Sequence, residues 1–212
     1  MKSASVTESD VSPRLGRAPD RSRAATRRRL KGAGTALFAR RGLHGTTTAQ
    51  IAHRAGVASG TFYLHFRDKH ALFREIVFEA LDALRDRLAD ASARAAADPV
   101  ARVRERATEL LAFADENRNL VRVLFGREHE AGELAEAVID ELVSGIEERL
   151  RGRIAAGAVP SGLHPAVAAQ ALAAMWARVV AWWLEDPRRA PREAVIETLV
   201  QIHPVYRAAV RR

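Results

Sequence analysis

The stretch GTTTAQIAHRAGVASGTFYLHF, residues 45–66, decides the fold of this chain. Apolar residues recur in it at helical spacing on both sides of Gly56, which interrupts the pattern. The spacing predicts two short helices joined by a tight turn, at about 48–55 and 59–66.

The starts of these two helices differ in their capping residues. Thr47, with Gln50 three residues later, has the pattern of a capping box, so it predicts a firm start for the first helix. The second helix has Ala58 where a capping side chain is expected. Either Ser59 takes over that role, or this helix end has no side-chain cap.

Two helices this short must pack on a third to bury enough apolar surface. The segment 21–41 predicts such a helix, with an apolar stripe and Gly42 at its end. Each short helix has one apolar side and one polar side. The apolar residues are Ile51, Ala52, Ala55, Val57, Phe62 and Phe66. This is the arrangement of a helix-turn-helix, whose second helix enters the major groove of DNA.

The polar side of the two helices predicts the residues that contact DNA. Short side chains at the start of the second helix allow close approach to the groove, and a helix N-terminus favours phosphate. The candidate DNA-binding residues are Thr46, Thr47, Thr48, Ser59, Gly60, Thr61, Tyr63, His65 and Lys69. Three have a plainer interpretation as well: Thr47 as a helix cap, Tyr63 as a packing aromatic and His65 as an ordinary surface histidine.

The charge of the chain is unevenly distributed. Residues 1–70 hold 14 Lys and Arg against 4 Asp and Glu, whereas the rest holds 20 against 22. Such a basic block beside a neutral body is typical of a polyanion-binding module joined to a second domain. The alternative is a solvated surface in a protein that prefers arginine, since the chain has 31 Arg and 3 Lys.

Residues 1–20 predict a disordered basic tail, because they lack a periodic apolar pattern. Arg21, Arg23 and Arg27 follow it. They are candidates for an arm that tracks the DNA backbone or enters the minor groove, or they form a solvated helix face.

The remainder of the chain predicts helices without strands, so the expected class is all-α. A long helix is expected from about Lys69, and further helices at about 100–116, 118–128, 132–157, 165–184 and 191–210. We therefore expect a DNA-binding domain over 21–68 and a second domain over 69–212. The segment 165–184 has the length of a membrane span but contains Gln170 and Arg178, so a buried helix is predicted and no membrane partner.

Residues 45–52, 55–57, 60–66, 69 and 72, with 33–38 and Gly42 before them, resemble the DNA-binding signature of the tetracycline-repressor (TetR) family. The resemblance covers about residues 24–73. It implies a three-helix helix-turn-helix domain, a six-helix body for ligand binding and dimerisation, and release of DNA when a ligand binds. It also implies that the last two helices form a four-helix bundle across a two-fold axis.

Two sets of body residues follow from this expectation. The candidate wall residues of a ligand pocket are Leu84, Leu110, Phe113, Leu120, Leu124, Phe125, Ile139, Val143 and Trp176. The candidate dimer-interface residues are Met175, Val179, Trp182, Ile196, Leu199 and Ile202. For the pocket residues an ordinary core role is the alternative, because apolar residues at helical spacing usually form core.

The function predicted is a cytoplasmic, ligand-responsive repressor that binds a palindromic operator as a homodimer and is released by a small apolar effector. A sequence-tolerant nucleic-acid-binding protein on the same motif is the alternative.

No nucleophile–base pair, glycine-rich phosphate loop or paired acid–base motif supports an enzyme. Cysteine is absent, and the consecutive residues Glu128, His129 and Glu130 point in different directions on a helix. No metal and no cofactor are therefore expected.

Overall fold

The computed structural model describes residues 18–95, 98–126, 131–159 and 162–204. Within these ranges the chain forms nine α-helices and one short 3-10 helix, with no strand. The α-helices are α1 (Ala18–Arg41), α2 (Thr48–Arg54), α3 (Ser59–Tyr63), α4 (Lys69–Arg94), α5 (Pro99–Glu116), α6 (Arg118–Phe125), α7 (Gly132–Ala155), α8 (Pro165–Glu185) and α9 (Arg192–Ile202). The all-α prediction is confirmed.

The helix ends differ from prediction at several places. Helix α3 ends at Tyr63, short of the expected residue 66, and α6 ends at Phe125 rather than 128. Helix α9 ends at Ile202, not 210, and residues 205–212 lie outside the described part. The predicted tail over 1–20 also needs correction at its end, because α1 already begins at Ala18; residues 1–17 are outside the described ranges.

Helices α1 and α4 pack closely beneath the two short helices. The rings of Phe38 and Phe73 meet edge to face, with centroids 5.1 Å apart. Gly34 lets the helices approach, since a Cβ built on it would lie 2.7 Å from Leu72 Cδ2. Phe62 of α3 is completely buried in the same core. The two short helices therefore pack on a surface formed by α1 and α4.

The hydrophobic core does not divide at residue 68, where the sequence predicts a domain boundary. Asp68 does cap α4, accepting a hydrogen bond from Ala71 N at 2.7 Å. However, one cluster of buried residues runs from α1 through the first half of α4 to Val123 on α6 and Val138 on α7. Helix α4 has 26 residues, so it extends about 39 Å and belongs to both halves of the protein.

The body is built from α5 to α9. One buried cluster joins α5 to α8 and α9, and another joins α7 to α8. By length and composition α8 could cross a membrane. Eight of its residues are nevertheless buried inside the protein, including Leu172, Val180 and Trp183. This burial is what a core helix requires.

Candidate nucleic-acid interface and internal cavity

The start of α2 has the capping box that the sequence predicts. Gln50 N donates to Thr47 Oγ1 at 3.2 Å, and Thr47 N donates to Gln50 Oε1 at 3.1 Å. Ile51 and Ala52 of the same helix are fully buried. The cap and the apolar face together fix the direction in which α2 crosses α1 and α4.

Helix α3 begins at Ser59 with Ala58 in the capping position and no side-chain hydrogen bond there. Of the two alternatives for this helix end, the structure therefore shows the one without a side-chain cap. Ser59 and Gly60 are exposed, and Thr61 is half-buried. The first turn of α3 thus offers small groups to solvent while the next residue, Phe62, anchors the helix.

Tyr63 lies on the solvent side of α3 with 59% of its surface exposed. Its hydroxyl is 3.0 Å from Thr48 Oγ1 on α2. The pair joins the two short helices at the surface, so the ring is presented outward in a fixed position. Leu64, which the sequence analysis did not select, is 70% exposed beside it.

Thr46 and Lys69 have structural roles that differ from the predicted DNA contacts. The Thr46 side chain is completely buried and donates to Gly42 O at 2.9 Å, so it faces the end of α1. Lys69 Nζ lies 2.8 Å from Leu43 O, 3.0 Å from Thr46 O and 3.4 Å from His44 O. Its protons are therefore directed at the carbonyls of the α1–α2 turn. The predicted DNA contact of the Thr46 side chain is therefore wrong, whereas the phosphate contact of Lys69 stays a prediction.

Arg27 is part of the fold rather than of an arm. It donates to both carboxylate oxygens of Glu75 on α4 and, at 2.7 Å, to His65 O. Its guanidinium also lies 4.2 Å from the centroid of the Phe66 ring. The arm prediction for Arg27 is therefore wrong. Arg23 lies within 3.4 Å of Leu64 O, and Arg21 is exposed.

His65 is half-buried, and its Nδ1 is buried without a hydrogen-bond partner. Burial lowers the pKa of His65, and the nearby Arg23 and Arg27 lower it further. The imidazole is therefore neutral at pH 7, which removes the charge that would favour a phosphate contact.

Arg29 supports the turn between α2 and α3, a role that the sequence analysis missed. Its Nη2 donates to Gly56 O at 2.8 Å and to Ala55 O at 2.5 Å. The sequence signal is weak, because Arg29 is one of three consecutive arginines on α1. Only the fold shows which of them reaches the turn.

The body contains a cavity of about 230 Å³ between α4, α5, α6, α7 and α8. Seven of the nine predicted wall residues line it, namely Leu84, Leu110, Phe113, Leu120, Leu124, Phe125 and Trp176. Ile139 and Val143 do not line it. They lie on the side of α7 that packs against α8, so their predicted place in the wall is wrong.

One part of the cavity wall is basic, which the sequence analysis did not predict. Arg106 of α5 and Arg149 and Arg153 of α7 line it together with Ser92 and His203. Burial lowers the pKa of Arg106 to about 10, with Arg149 and Arg153 contributing. Burial also lowers the pKa of His203 to about 4, helped by Arg153 and Arg106. The available signal was the spacing of Arg149 and Arg153, which puts them one turn apart on the same helix face.

A groove between α8 and α9 contains most of the predicted dimer residues. Met175, Val179, Trp182, Leu199 and Ile202 line it. Ile202 is 53% exposed, whereas Leu199 is almost fully buried at the groove floor. Ile196 does not line the groove. It points into the core shared with α5, so its assignment to an outward face is corrected.

Within the described ranges no three His, Asp or Glu side chains are grouped so that they could hold a metal ion. Glu128, His129 and Glu130, considered above as ligands, lie outside those ranges.

Residues 32–76, which comprise the last part of α1, both short helices and the start of α4, match the model of a protein family described as bacterial regulatory proteins, tetR family. Over these residues the chain is similar to the DNA-binding domain of TetR-family regulators. The match includes the Thr47 cap, the exposed Tyr63 and the Gly34 contact between α1 and α4.

Two TetR relatives are transcriptional regulators. The HTH-type transcriptional regulator AcrR of Shigella flexneri is 27% identical over 172 residues, 77% of this chain and 80% of AcrR. The HTH-type transcriptional repressor KstR2 of Rhodococcus jostii is 48% identical over 48 residues, 23% of this chain and 24% of KstR2. The chain is therefore similar to transcriptional regulators that carry a helix-turn-helix.

A solved structure extends the similarity to the body. FadR of Bacillus subtilis, solved in complex with stearoyl-CoA, superposes with a TM-score of 0.67 at 17% identity and covers 84% of this chain and 98% of FadR. At this identity the likeness concerns the fold. It shows that the body helices, as well as the helix-turn-helix, are arranged as in FadR.

Proposed function

We propose that this protein is a ligand-responsive repressor of the TetR family that binds a palindromic operator as a homodimer. The observation that carries the proposal is the outward surface of α2 and α3. Ser59, Gly60 and Tyr63 are exposed on it, while Phe62 anchors the helix from behind. A short, firmly seated helix with small and polar groups outward is suited to the major groove.

The described contacts narrow the set of DNA-binding residues. Thr47, Thr48, Ser59, Gly60, Thr61 and Tyr63 remain candidates, with Arg21 and Arg23 beside them. Leu64 joins them, because an exposed apolar side chain at the end of α3 can contact the methyl group of thymine. The basic excess of residues 1–70 adds sequence-independent attraction to the phosphates.

The groove between α8 and α9 is the proposed dimer face. Its lining is largely apolar, with Met175, Val179 and Trp182 on one side and Ile202 at the edge. Pairing two such grooves about a two-fold axis would bury them and place two copies of α3 for the half-sites of a palindrome. Replacing Val179 by Arg should therefore yield monomers in analytical ultracentrifugation.

The internal cavity is the proposed effector site. Helix α4 connects it to the DNA-binding surface, because Lys69 and Phe73 support the helix-turn-helix while Leu84 and Leu88 line the cavity. A ligand that moves the second half of α4 would thus change the position of α3. AcrR and KstR2 are named as a transcriptional regulator and a repressor, which favours repression in the cytoplasm, where the DNA lies.

Selection of bound sequences from random double-stranded DNA tests the proposal. We expect a short inverted repeat, bound by two copies of the chain. Affinity for it should exceed affinity for scrambled DNA by a factor on the order of 1,000 or more at physiological salt. Equal affinity for all duplexes would instead support the second candidate, a sequence-tolerant DNA-binding protein, which the charge of residues 1–70 makes worth testing.

A further inference from the structure

The cavity wall combines a large apolar part with a small cationic part. Apart from Ser92, His203 and three arginines, the described residues that line it are aliphatic or aromatic. No Asp or Glu is among these lining residues. A ligand that complements this wall has a long apolar portion and one negatively charged end.

The three arginines converge from two helices. Arg149 and Arg153 are one turn apart on α7, and Arg106 faces them from α5. The positive charges of Arg149 and Arg153 act on Arg106, and that of Arg153 acts on Arg149. Arg102 acts in the same way on Arg153. Like charges that line one cavity repel one another, and an anion placed between them relieves the repulsion.

Arg106 donates hydrogen bonds to neutral acceptors. Its Nη1 donates to Leu88 O at 3.0 Å and to Ser92 Oγ at 3.1 Å. Among the described residues no carboxylate forms an ion pair with Arg106, Arg149 or Arg153, although Glu148 lies near Arg149 and acts on it through space. Neighbouring arginines are paired: Arg85 binds Glu141 and Arg151 binds Glu147. Within the described part of the chain, the cavity cluster is thus distinguished by its lack of an ion-pair partner.

The shape of the cavity fits a chain rather than a compact molecule. Val77 and Ser92 both line it and are fifteen residues apart on α4, so it extends about 22 Å along that helix. Ser92 and the arginines lie toward the end of α4 that is remote from the helix-turn-helix. Val77 and Leu81 lie toward the near end and belong to the hydrophobic core that α1 and α4 share.

We propose that the cavity binds an amphipathic anion, an aliphatic chain whose carboxylate or phosphate head is held by Arg106, Arg149 and Arg153. The inference rests on the proposed function, in which the cavity is the effector site. Guanidinium groups bind carboxylate and phosphate with paired hydrogen bonds. The head lies at the remote end of α4, and the chain runs toward the DNA-binding surface.

Isothermal titration of the full-length protein, with each probe below its critical micelle concentration, tests the proposal. The probes are dodecanoate, dodecyl phosphate, dodecanol and dodecyltrimethylammonium, which share one chain and differ in the head. We expect both anions to bind at least tenfold more tightly than dodecanol, and the cation to bind more weakly still. The ratio between the two anions identifies which head the site prefers. Decanoate should bind on the order of tenfold more weakly than dodecanoate, since it buries two fewer methylene groups.

A double variant, Arg149→Met with Arg153→Met, should remove the preference for anions while leaving dodecanol binding unchanged. Unchanged dodecanol binding would show that the cavity is still formed. Arg151→Met is the matched control. It removes the same charge from the same helix, between the two test positions, but Arg151 does not line the cavity. This control should keep the anion preference within twofold of the wild-type value.

The proposal is overturned if dodecanol or the cation binds as tightly as dodecanoate, if no anion binds up to its solubility, or if Arg151→Met has the same effect as the double variant. Its failure can be told from failure of the repressor hypothesis. Specific operator binding without an anion preference would remove only the anion site. An anion preference in a protein that binds all DNA equally would remove only the repressor function.

Discussion

Arg27 on α1 and Glu75 on α4 form an ion pair close to the end of α3, with Arg27 Nε 3.1 Å from Glu75 Oε1. The same guanidinium donates to His65 O just after α3. Burial would raise the pKa of Glu75, but hydrogen bonds from Arg27 and Lys31 outweigh it and hold that pKa below its usual value. The carboxylate therefore stays ionised and keeps Arg27 in place.

Replacing Arg27 by Met should destabilise the fold by about 1 kcal/mol, because it removes a partly exposed ion pair and a hydrogen bond. Operator affinity should fall several-fold as α3 loosens. Arg28→Met is the matched control, since it removes the same charge from an exposed neighbouring position. Chemical denaturation and DNA titration of both variants check the prediction. Equal stability losses would mean that Arg27 has no special place in the fold.

Gly34 and Gly32 form a pair of tests within one helix. A Cβ at Gly34 would lie 2.7 Å from Leu72 Cδ2, whereas a Cβ at Gly32 meets nothing within 4 Å. Gly34→Ala should therefore cost about 1–3 kcal/mol by overpacking. Gly32→Ala should raise the free energy of unfolding by up to about 1 kcal/mol, because alanine is the better helix former. Urea denaturation of both variants measures these changes in the free energy of unfolding. A Gly34→Ala variant as stable as the wild-type protein would contradict the close packing of α1 on α4.

Lys69 provides a test that separates a structural ammonium from one that binds phosphate. If it holds the carbonyls of the α1–α2 turn, Lys69→Met should lower the free energy of unfolding by about 1–3 kcal/mol. The dependence of operator affinity on salt should then keep its slope. Loss of a phosphate contact would instead reduce that slope by about 1. Measuring affinity between 50 and 300 mM salt distinguishes the two, and a reduced slope would confirm the original prediction.

Tyr63→Phe should weaken operator binding about tenfold without unfolding the protein, because the variant lacks one donor to the DNA. Since the hydroxyl also contacts Thr48 Oγ1, the variant should be compared with Thr48→Ala and with the double variant. Additive losses in affinity indicate two separate DNA contacts, and a double variant no weaker than either single one indicates that the pair acts as a unit. Unchanged affinity of Tyr63→Phe would remove Tyr63 from the interface.

His203 should make stability depend on pH. Its pKa is about 4 in the folded chain, against an ordinary value of 6.5, so the unfolded chain takes up a proton first as the pH falls. The neutral His203 therefore contributes to the free energy of unfolding. That contribution is complete above about pH 7.5 and is lost as the pH falls from 6.5 toward 4. Relative to a His203→Gln variant, the wild-type protein should lose about 2–3 kcal/mol between pH 8 and pH 4.5. Parallel stability curves for the two proteins would show that His203 titrates normally.

The sequence predicted the elements better than the roles of their polar side chains. The capping box at Thr47 and the burial of Phe62 follow from spacing, because helical periodicity determines which side of a helix faces the core. Seven residues of the cavity wall follow from the same periodicity together with the family resemblance. The DNA contacts predicted for Thr46 and Arg27 were wrong for the opposite reason. A polar side chain near the helix-turn-helix has either DNA or a backbone carbonyl as its partner, and that choice depends on loop geometry. The basic part of the cavity was missed because Arg149 meets Arg106 only after α5 and α7 pack.

The core shared across residue 68 has a consequence for how such proteins exchange parts. A fragment ending at that residue would lose Leu72, Phe73, Ile76 and Val77, which are buried against α1. Residues 21–68 therefore cannot be moved to another protein as an independently folded domain. A hybrid protein that joins residues of this helix-turn-helix to a different ligand-binding body must therefore keep α4 at least as far as Val77. The new body must then continue α4 so that the same side of the helix faces the core.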